Sequence, residues 1–133
     1  MIISHKYKFI FIKTRKTAGS SIEYNLSSLL GENDIITPLE GIPKAEKHLS
    51  KNYFLDTKLS ILLKKIGLFK LSKFFLYEIK THEHAYKVKK FVGQKVWNTY
   101  YKFCVEREPV DKCLSYYFMR KNSPTSSKKR KSM

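Results

Sequence analysis

The pattern of apolar and polar residues begins with a strand that runs directly into a helix. The stretch from Tyr7 to Lys13, YKFIFIK, is rich in aromatic and β-branched residues and predicts a buried strand. A helix is then predicted to begin at Gly19 or Ser20 and to stop at Gly31. Its predicted apolar face contains Ile22, Leu26, Leu29 and Leu30.

A second unit of the same kind lies near the end of the chain. Thr99 to Arg107, TYYKFCVER, predicts another buried strand, and Pro109 suits the first turn of a following helix. The apolar face of that helix is predicted to contain Val110, Leu114, Tyr117 and Phe118. Two strand–helix units around a helical middle predict an α/β fold with a small parallel sheet flanked by helices, in three P-loop-like layers. Ligands are then expected at the carboxyl ends of the strands.

The middle of the chain predicts helices and loops. Asp34 to Pro38 reads as a short strand or extended segment, and residues 38 to 52 read as a loop. Asp56 to Lys80 predicts two helices separated by Gly67. The first carries Leu59, Leu62, Leu63 and Ile66 on one face, and the second contains Leu71, Phe74, Phe75 and Tyr77.

The lysine-rich helices between Asp56 and Lys80 have two interpretations. A helical hairpin that packs its apolar side on the core is favoured over a basic helix lying on a membrane surface. After them, Thr81 is predicted to cap a helix that stops at Gly93.

Length and charge narrow the class of protein. The 133 residues fit one domain, assigned to residues 1–119, and residues 120–133 have the composition of a disordered basic tail. The net charge of +16 favours anionic partners without choosing among them. The tail sequence KKRK resembles a nuclear-localisation or nucleic-acid patch, but a solvated tail is the favoured interpretation.

Cysteine usage and hydropathy point to a reduced, cytoplasmic protein. Cys104 and Cys113 have no metal-type spacing with histidines, and one pair forms no disulfide framework. The apolar run from Phe9 to Ile12 is too short for a signal peptide or a membrane span.

The segment TRKTAGSS, between the first predicted strand and helix, indicates an anion site. A helix N-terminus offers backbone N–H groups that bind phosphate, and Lys16 adds a positive charge. Lys13 and Arg15 are candidate auxiliary anion contacts, with a purely solubilising role as the alternative. The segment is not a Walker A loop, because its lysine precedes the glycine.

At the second strand–helix junction, Arg107 ends the strand and Ser115 lies eight residues further on. Asp111 and Ser115 share a helix face if the helix begins at Pro109. Arginine suits phosphate because its planar guanidinium donates two hydrogen bonds at once. A surface ion pair is the alternative for an arginine at this position.

Three motifs together resemble the sulfotransferases that use 3′-phosphoadenosine 5′-phosphosulfate (PAPS). FIFIKTRKTAGSSI is similar to the 5′-phosphosulfate loop of the membrane-associated and bacterial branches, with its PKTAGTS-like residues. FCVEREPVDKCLSYY resembles the 3′-phosphate segment, R-[ND]-P-x-[DE]-x-x-x-S-x-Y. Between them, HEHA resembles the H-x-x-A helix start, with His82 and Ala85 in register.

The resemblance implies transfer of a sulfuryl group from PAPS to an acceptor hydroxyl or amine, on a glycan or a small molecule. It implies that Lys16 and His82 are catalytic: Lys16 stabilises the leaving phosphate, and His82, rather than His84, is the general base. It further implies a set of donor-binding residues and requires no metal. That set is Arg15, Lys16, Thr17, Ala18, Gly19, Ser20, Ser21, Arg107 and Ser115.

Two departures accompany the resemblance. Glu108 stands where the family usually has Asn or Asp, and Val110 stands where it commonly has an aromatic residue. Family members generally continue well past the 3′-phosphate helix, so a short or truncated member is expected. The alternatives are an inactive remnant that only binds PAPS or its product PAP, and a basic binder of nucleic acid or membrane surfaces. No motif that reads nucleic acid supports the last of these.

Overall fold

The computed structural model describes residues 1–38 and 50–121. A four-stranded sheet is formed by β1 (Ile2–Ser4), β2 (Phe9–Phe11), β3 (Ile35–Ile36) and β6 (Tyr101–Phe103), in the order β3-β1-β2-β6. β2 and β6, inside the two predicted strands, are parallel, whereas β1 is antiparallel to both β2 and β3. The sheet is therefore mixed. The predicted parallel sheet is wrong because the sequence prediction did not include β1. The α/β class is confirmed, and its P-loop-like layering stays a prediction.

A row of isoleucines across the sheet forms the centre of the core. Ile3 pairs with Ile10 on β2 and with Ile35 on β3, so the three side chains are cross-strand neighbours on one face. Val88 and Phe91 pack against them, and both are buried. Burying an apolar side chain of this size contributes roughly 1.5–3 kcal/mol, so this row accounts for much of the driving force for folding.

The first helix, α1 (Gly19–Ser27), begins where the sequence predicts, but its buried side is different. Glu23 and Gly19 are its buried residues, while Leu29 lies past its end and is 55% exposed. The predicted apolar face is wrong because the helix is short and packs through a carboxylate whose charge is compensated inside the protein.

The segment from residue 54 to 78 combines helices with a small second sheet. It contains β4 (Phe54–Asp56), α2 (Lys58–Lys65), α3 (Phe69–Ser72), a 3-10 turn (Lys73–Phe75) and β5 (Leu76–Glu78). Gly67, with φ 81°, separates α2 from α3 as predicted. Tyr77 lies in β5, which pairs antiparallel with β4, so its assignment to a helix was wrong.

The predicted packing of α2 and α3 on the core is also wrong. Leu63 is buried, whereas Leu62, Ile66 and Phe74 are 55%, 61% and 84% exposed. The hairpin therefore keeps most of its apolar side chains in contact with solvent.

The remaining helices are α4 (Ala85–Thr99) and α5 (Pro109–Lys121). α4 begins after His84, and the Thr81 hydroxyl donates to the carbonyl of Pro38 (2.7 Å), so Thr81 is not its cap. Gly93, at φ 82° and ψ 161°, interrupts α4, which then resumes as far as Thr99. Pro109 starts α5 as predicted, and α5 runs through Lys121, two residues into the predicted tail. The rest of the tail and residues 39–49 of the predicted loop lie outside the described residues.

Candidate functional site

The two strand–helix junctions meet at one edge of the sheet because β2 and β6 are parallel. Beyond the strands, the N–H of Ile12 donates to the carbonyl of Phe103 at 2.9 Å. The hydroxyl of Thr14 then donates to the carbonyl of Val105 at 2.6 Å. The loop after β2 is thus fixed to the segment that leads into α5.

The loop between β2 and α1 has a strained backbone. Lys16 and Ala18 have φ values of 61° and 58°, in the left-handed region that non-glycine residues rarely adopt. Each such residue costs about 1–3 kcal/mol, and this kind of strain concentrates at functional sites. Alternation between left- and right-handed conformations turns successive N–H groups toward one concave surface, which is a known way to bind anions.

The first turn of α1 determines which N–H groups remain available. Within the described residues, the N–H groups of Ala18 and Gly19 have no hydrogen-bond acceptor. The N–H of Ser21 donates to the carbonyl of Ala18 at 3.0 Å, so it is already used inside the helix. The Ser21 N–H therefore already has an acceptor within the helix, and a role of Ser21 in donor binding stays a prediction.

Thr17 has its hydroxyl committed to the protein. Its side chain is 4% exposed, and its Oγ1 lies 2.9 Å from the Oγ1 of Thr14. The Thr14 proton goes to Val105, so the one hydroxyl proton of Thr17 is directed at Thr14, where both Oγ1 (2.9 Å) and the carbonyl oxygen (3.2 Å) are within reach. The hydroxyl chain holds the loop in place, while the Ser21 side chain on the helix surface is exposed.

Lys13 does not face solvent, contrary to its suggested role as an auxiliary anion contact or a solubilising residue. Its side chain is almost entirely buried, and its Nζ donates to Ser20 Oγ at 2.9 Å and Glu23 Oε2 at 2.7 Å. The other oxygen of Glu23 pairs with the Met1 ammonium. This buried charge cluster of Met1, Lys13 and Glu23 was not foreseen, because a single glutamate in an otherwise apolar helix pattern reads as a surface residue.

Gly19 is required by the path of the lysine. A Cβ atom at residue 19 would lie 2.6 Å from Cγ of Lys13, closer than real Cβ contacts allow. The glycine therefore lets the Lys13 stem pass beneath the start of α1 and reach Glu23.

A cavity of ≈ 620 Å³ opens above this loop. Its walls contain residues 13–20 together with His82, Tyr116 and Met119. Lys16 is half-buried in this wall and Arg15 is exposed. The structure thus brings the loop candidates from Arg15 to Ser20 to the same cavity as His82, whereas Ser21 does not line it.

His82 is oriented by the loop itself. Its Nδ1 lies 3.2 Å from the carbonyl oxygen of Lys13. A carbonyl cannot donate, so Nδ1–H is the donor in this hydrogen bond. His84 is exposed, stacks on Tyr86 with ring centroids 5.9 Å apart, and does not line the cavity.

Arg107 and Ser115 are not part of that cavity wall. The guanidinium of Arg107 lies 3.5 Å from the carboxylate of Asp111, with side chains 42% and 58% exposed. Ser115 is half-buried on α5, one turn after Asp111. The surface ion pair that the sequence left as the alternative for Arg107 is therefore present.

Glu108 has a structural role that explains its departure from the family motif. Its carboxylate accepts the N–H of Asp111 at 2.8 Å, as Asn or Asp does at a helix start. This bond, a second from the N–H of Val110 and the charge of Arg107 hold the pKa of Glu108 below its ordinary value.

A second cavity of ≈ 650 Å³ adjoins the first through Arg15, Lys16 and Tyr116. Its other lining residues are Lys112, Cys113, Tyr117 and Arg120. Sequence reasoning missed it, although Lys112, Tyr116 and Arg120 are spaced four apart on α5 and so share a helix face. Among the described residues, no cluster of three or more His, Cys, Asp or Glu side chains could hold a metal ion.

Comparison with protein families identifies a match. The sulfotransferase family model matches residues 1–132, nearly the whole chain. No curated protein matches the chain, and no solved structure does. The match covers both strand–helix junctions and the histidine between them, and on this evidence the chain belongs to the sulfotransferase family.

Proposed function

We propose that the protein transfers a sulfuryl group from PAPS to an acceptor hydroxyl. One observation supports this most directly: a strained, donor-rich loop with Lys16 and a histidine hydrogen-bonded to that loop line the same cavity. Its volume, ≈ 620 Å³, lies within the range of roughly 300–1,000 Å³ found for small-molecule sites.

The loop after β2 fits the phosphosulfate end of the donor. The N–H groups of Ala18 and Gly19 are available at the start of α1, where the helix dipole favours an anion. Lys16 is half-buried beside them, and its ammonium would neutralise charge on the oxygen that leaves with the phosphate. PAPS, when bound, supplies the activated sulfuryl group. The chain's residues supply position and charge.

His82 suits the role of general base toward the acceptor. The Lys13 carbonyl accepts from Nδ1, which leaves Nε2 as the proton-accepting nitrogen. Because the carbonyl belongs to the phosphosulfate loop, the ring is oriented by the same segment that would hold the donor. This arrangement would bring the acceptor oxygen and the phosphosulfate into the same cavity.

Arg107 and Ser115 are proposed to bind the 3′-phosphate. The Arg107–Asp111 pair is exposed on both sides, so exchanging it for a phosphate costs at most about 1 kcal/mol. The phosphate would accept two hydrogen bonds from the guanidinium, which a carboxylate at 3.5 Å does not match.

Isothermal titration with PAP and AMP tests the donor, since only the proposed site distinguishes the 3′-phosphate. PAP should bind more tightly than AMP, and Arg107→Ala should remove that preference by lowering PAP affinity about 10- to 100-fold. Lys89→Ala, which removes an exposed positive charge from α4, is the matched control and should leave the preference intact. Equal affinity for PAP and AMP in the unchanged protein would refute the proposal.

Transfer itself is tested with labelled PAPS and a panel of hydroxyl acceptors that includes glycans. Lys16→Ala should abolish transfer. If PAP binds but no acceptor is sulfated, the protein is a donor-binding member without activity.

A further inference from the structure

The exposed face of residues 58–75 carries apolar side chains that the core does not use. Phe74 is 84% exposed, Phe69 and Ile66 are both 61% exposed, and Leu62 is 55% exposed. Folded proteins rarely leave such neighbouring apolar side chains in water, and contiguous patches of this kind mark interaction sites. We call this face the hairpin surface.

The geometry of α2 separates the hairpin surface from the buried side of the helix. Ser60 and Leu63, three residues apart, are buried. Leu59, Leu62 and Ile66 are spaced three and four apart and form an exposed stripe that adjoins Leu63 on the same apolar face. Only the edge of that face with Leu63 and Ser60 packs on the protein.

Lysines flank this stripe and no acid lies among them. Residues 57–75 contain five lysines and no Asp or Glu. They are Lys58, Lys64, Lys65, Lys70 and Lys73. The nearest acid, Asp56, pairs with Lys64 at 2.6 Å, and this bond lowers the pKa of Asp56 below its ordinary value of 3.8. One lysine is neutralised and four positive charges remain beside exposed leucine, isoleucine and phenylalanine.

We propose that the hairpin surface binds the face of an anionic lipid bilayer. Positive charge next to aliphatic and aromatic side chains complements a membrane interface, where headgroups are negative and acyl chains lie just beneath. A second copy of the chain fits poorly, because a two-fold contact would oppose lysine to lysine. Nucleic acid fits poorly as well, because exposed leucines and isoleucines match neither phosphates nor stacked bases.

Binding would be peripheral. α2 has eight residues and a length of about 12 Å. In the parts of the chain that the structure covers, no helix is long and apolar enough to cross a bilayer. The hairpin would lie in the interface, with Phe69 and Phe74 toward the acyl chains and the lysine ammonium groups reaching up to the headgroups.

Co-sedimentation of the full chain with vesicles tests the proposal. The protein should pellet with vesicles of phosphatidylcholine and phosphatidylserine (7:3) and not with phosphatidylcholine alone. Phe69→Ser with Phe74→Ser should weaken binding at least about tenfold, because each phenylalanine loses its apolar contact. Phe118→Ser, a matched change at an exposed phenylalanine on α5, should leave binding unchanged.

A charge pair of variants separates the hairpin surface from the overall positive charge. Lys65→Gln with Lys70→Gln should reduce the partition coefficient by about fivefold per lysine. Lys89→Gln with Lys90→Gln changes the net charge equally on α4 and should have little effect.

Three results would overturn the proposal. They are equal binding to both vesicle types, equal loss in the α4 control, and a dimer in sedimentation velocity that Phe69→Ser with Phe74→Ser dissociates. PAP affinity should be unchanged in all these variants, so failure here is distinct from failure of the proposed function.

Discussion

Replacing Glu23 by glutamine should destabilise the protein strongly. Glutamine keeps the size of the side chain but removes the negative charge shared by the Lys13 ammonium and the Met1 ammonium, all of which are buried. Met1 retains a hydrogen bond to Thr37 Oγ1 at 2.8 Å, and Lys13 retains Ser20. Glutamine supplies no negative charge to either ammonium, so the cost is that of breaking a buried pair, about 3–5 kcal/mol.

This cost converts into a measurable change in melting temperature. The unfolding entropy of 133 residues is about 0.28 kcal/mol/K at roughly 2.1 cal/mol/K per residue, so Tm should fall by about 11–18 °C. The matched control is Glu106→Gln, which removes the partner of Lys112 on the surface, where the glutamate is 63% exposed. An exposed pair contributes at most about 1 kcal/mol, so this variant should lose no more than about 4 °C.

Thermal unfolding followed by circular dichroism at pH 7 is the assay, with any affinity tag at the C-terminus so that the Met1 ammonium is kept. A Tm for Glu23→Gln within 2 °C of that for Glu106→Gln would refute the reasoning. Lys13→Met combined with Glu23→Met should recover only the part of the loss that comes from Lys13, because the Met1 ammonium still loses the Glu23 carboxylate.

Three further predictions concern Gly19 at the start of α1, the buried carboxylate of Asp34, and His82 in the cavity wall. Gly19→Ala should destabilise the protein by about 1–3 kcal/mol, because its Cβ meets Cγ of Lys13 at 2.6 Å, and the loss should shrink in a Lys13→Ala background, as denaturant unfolding would measure. Burial opposes ionisation of Asp34, but hydrogen bonds from the Lys6 N–H, Ser4 and two other donors outweigh it and hold its pKa below 3.8. Its stabilisation should therefore be complete above pH 3.8 and vanish as pH falls through the lower folded value, which the stability gap to Asp34→Asn would reveal by closing in acid. His82→Gln should lower kcat for transfer at least about 100-fold while PAP affinity, measured by titration, stays within twofold.

The sequence was sufficient to predict the two strand–helix units but not the strands β1, β4 and β5. β2 and β6 lie inside runs of aromatic and β-branched residues, and Pro109 marks the start of α5, so local signals agree there. β1, β4 and β5 are as short as β2 and β6, but the residues around them show no period that distinguishes a strand from a loop or a helix end. Their pairing depends on contacts that only the folded chain provides.

The candidate site was predictable where one residue type determines the chemistry. The resemblance groups Lys16 and Gly19 with His82 rather than His84, and all three of these residues line the cavity. Their roles stay predictions. The destination of Lys13 was not predictable, because its partner Glu23 is ten residues away and looks like any helix glutamate. The hydrogen bond from the Ser21 N–H to the Ala18 carbonyl was not predictable either, because it depends on which residue begins the helix.

The pairing of β2 with β6 has a consequence for the order of folding. Phe9 is aligned with Tyr101, so nearly all of the described chain forms the loop that this pair closes. Closing a loop of that length costs about 4 kcal/mol of chain entropy, which only the contacts formed afterwards can offset. Contacts this distant in sequence form late, so the loop between β2 and α1 should contact α5 only after the local helices and hairpins have formed. A partly folded chain should therefore retain helical structure before the cavity above the loop between β2 and α1 has formed.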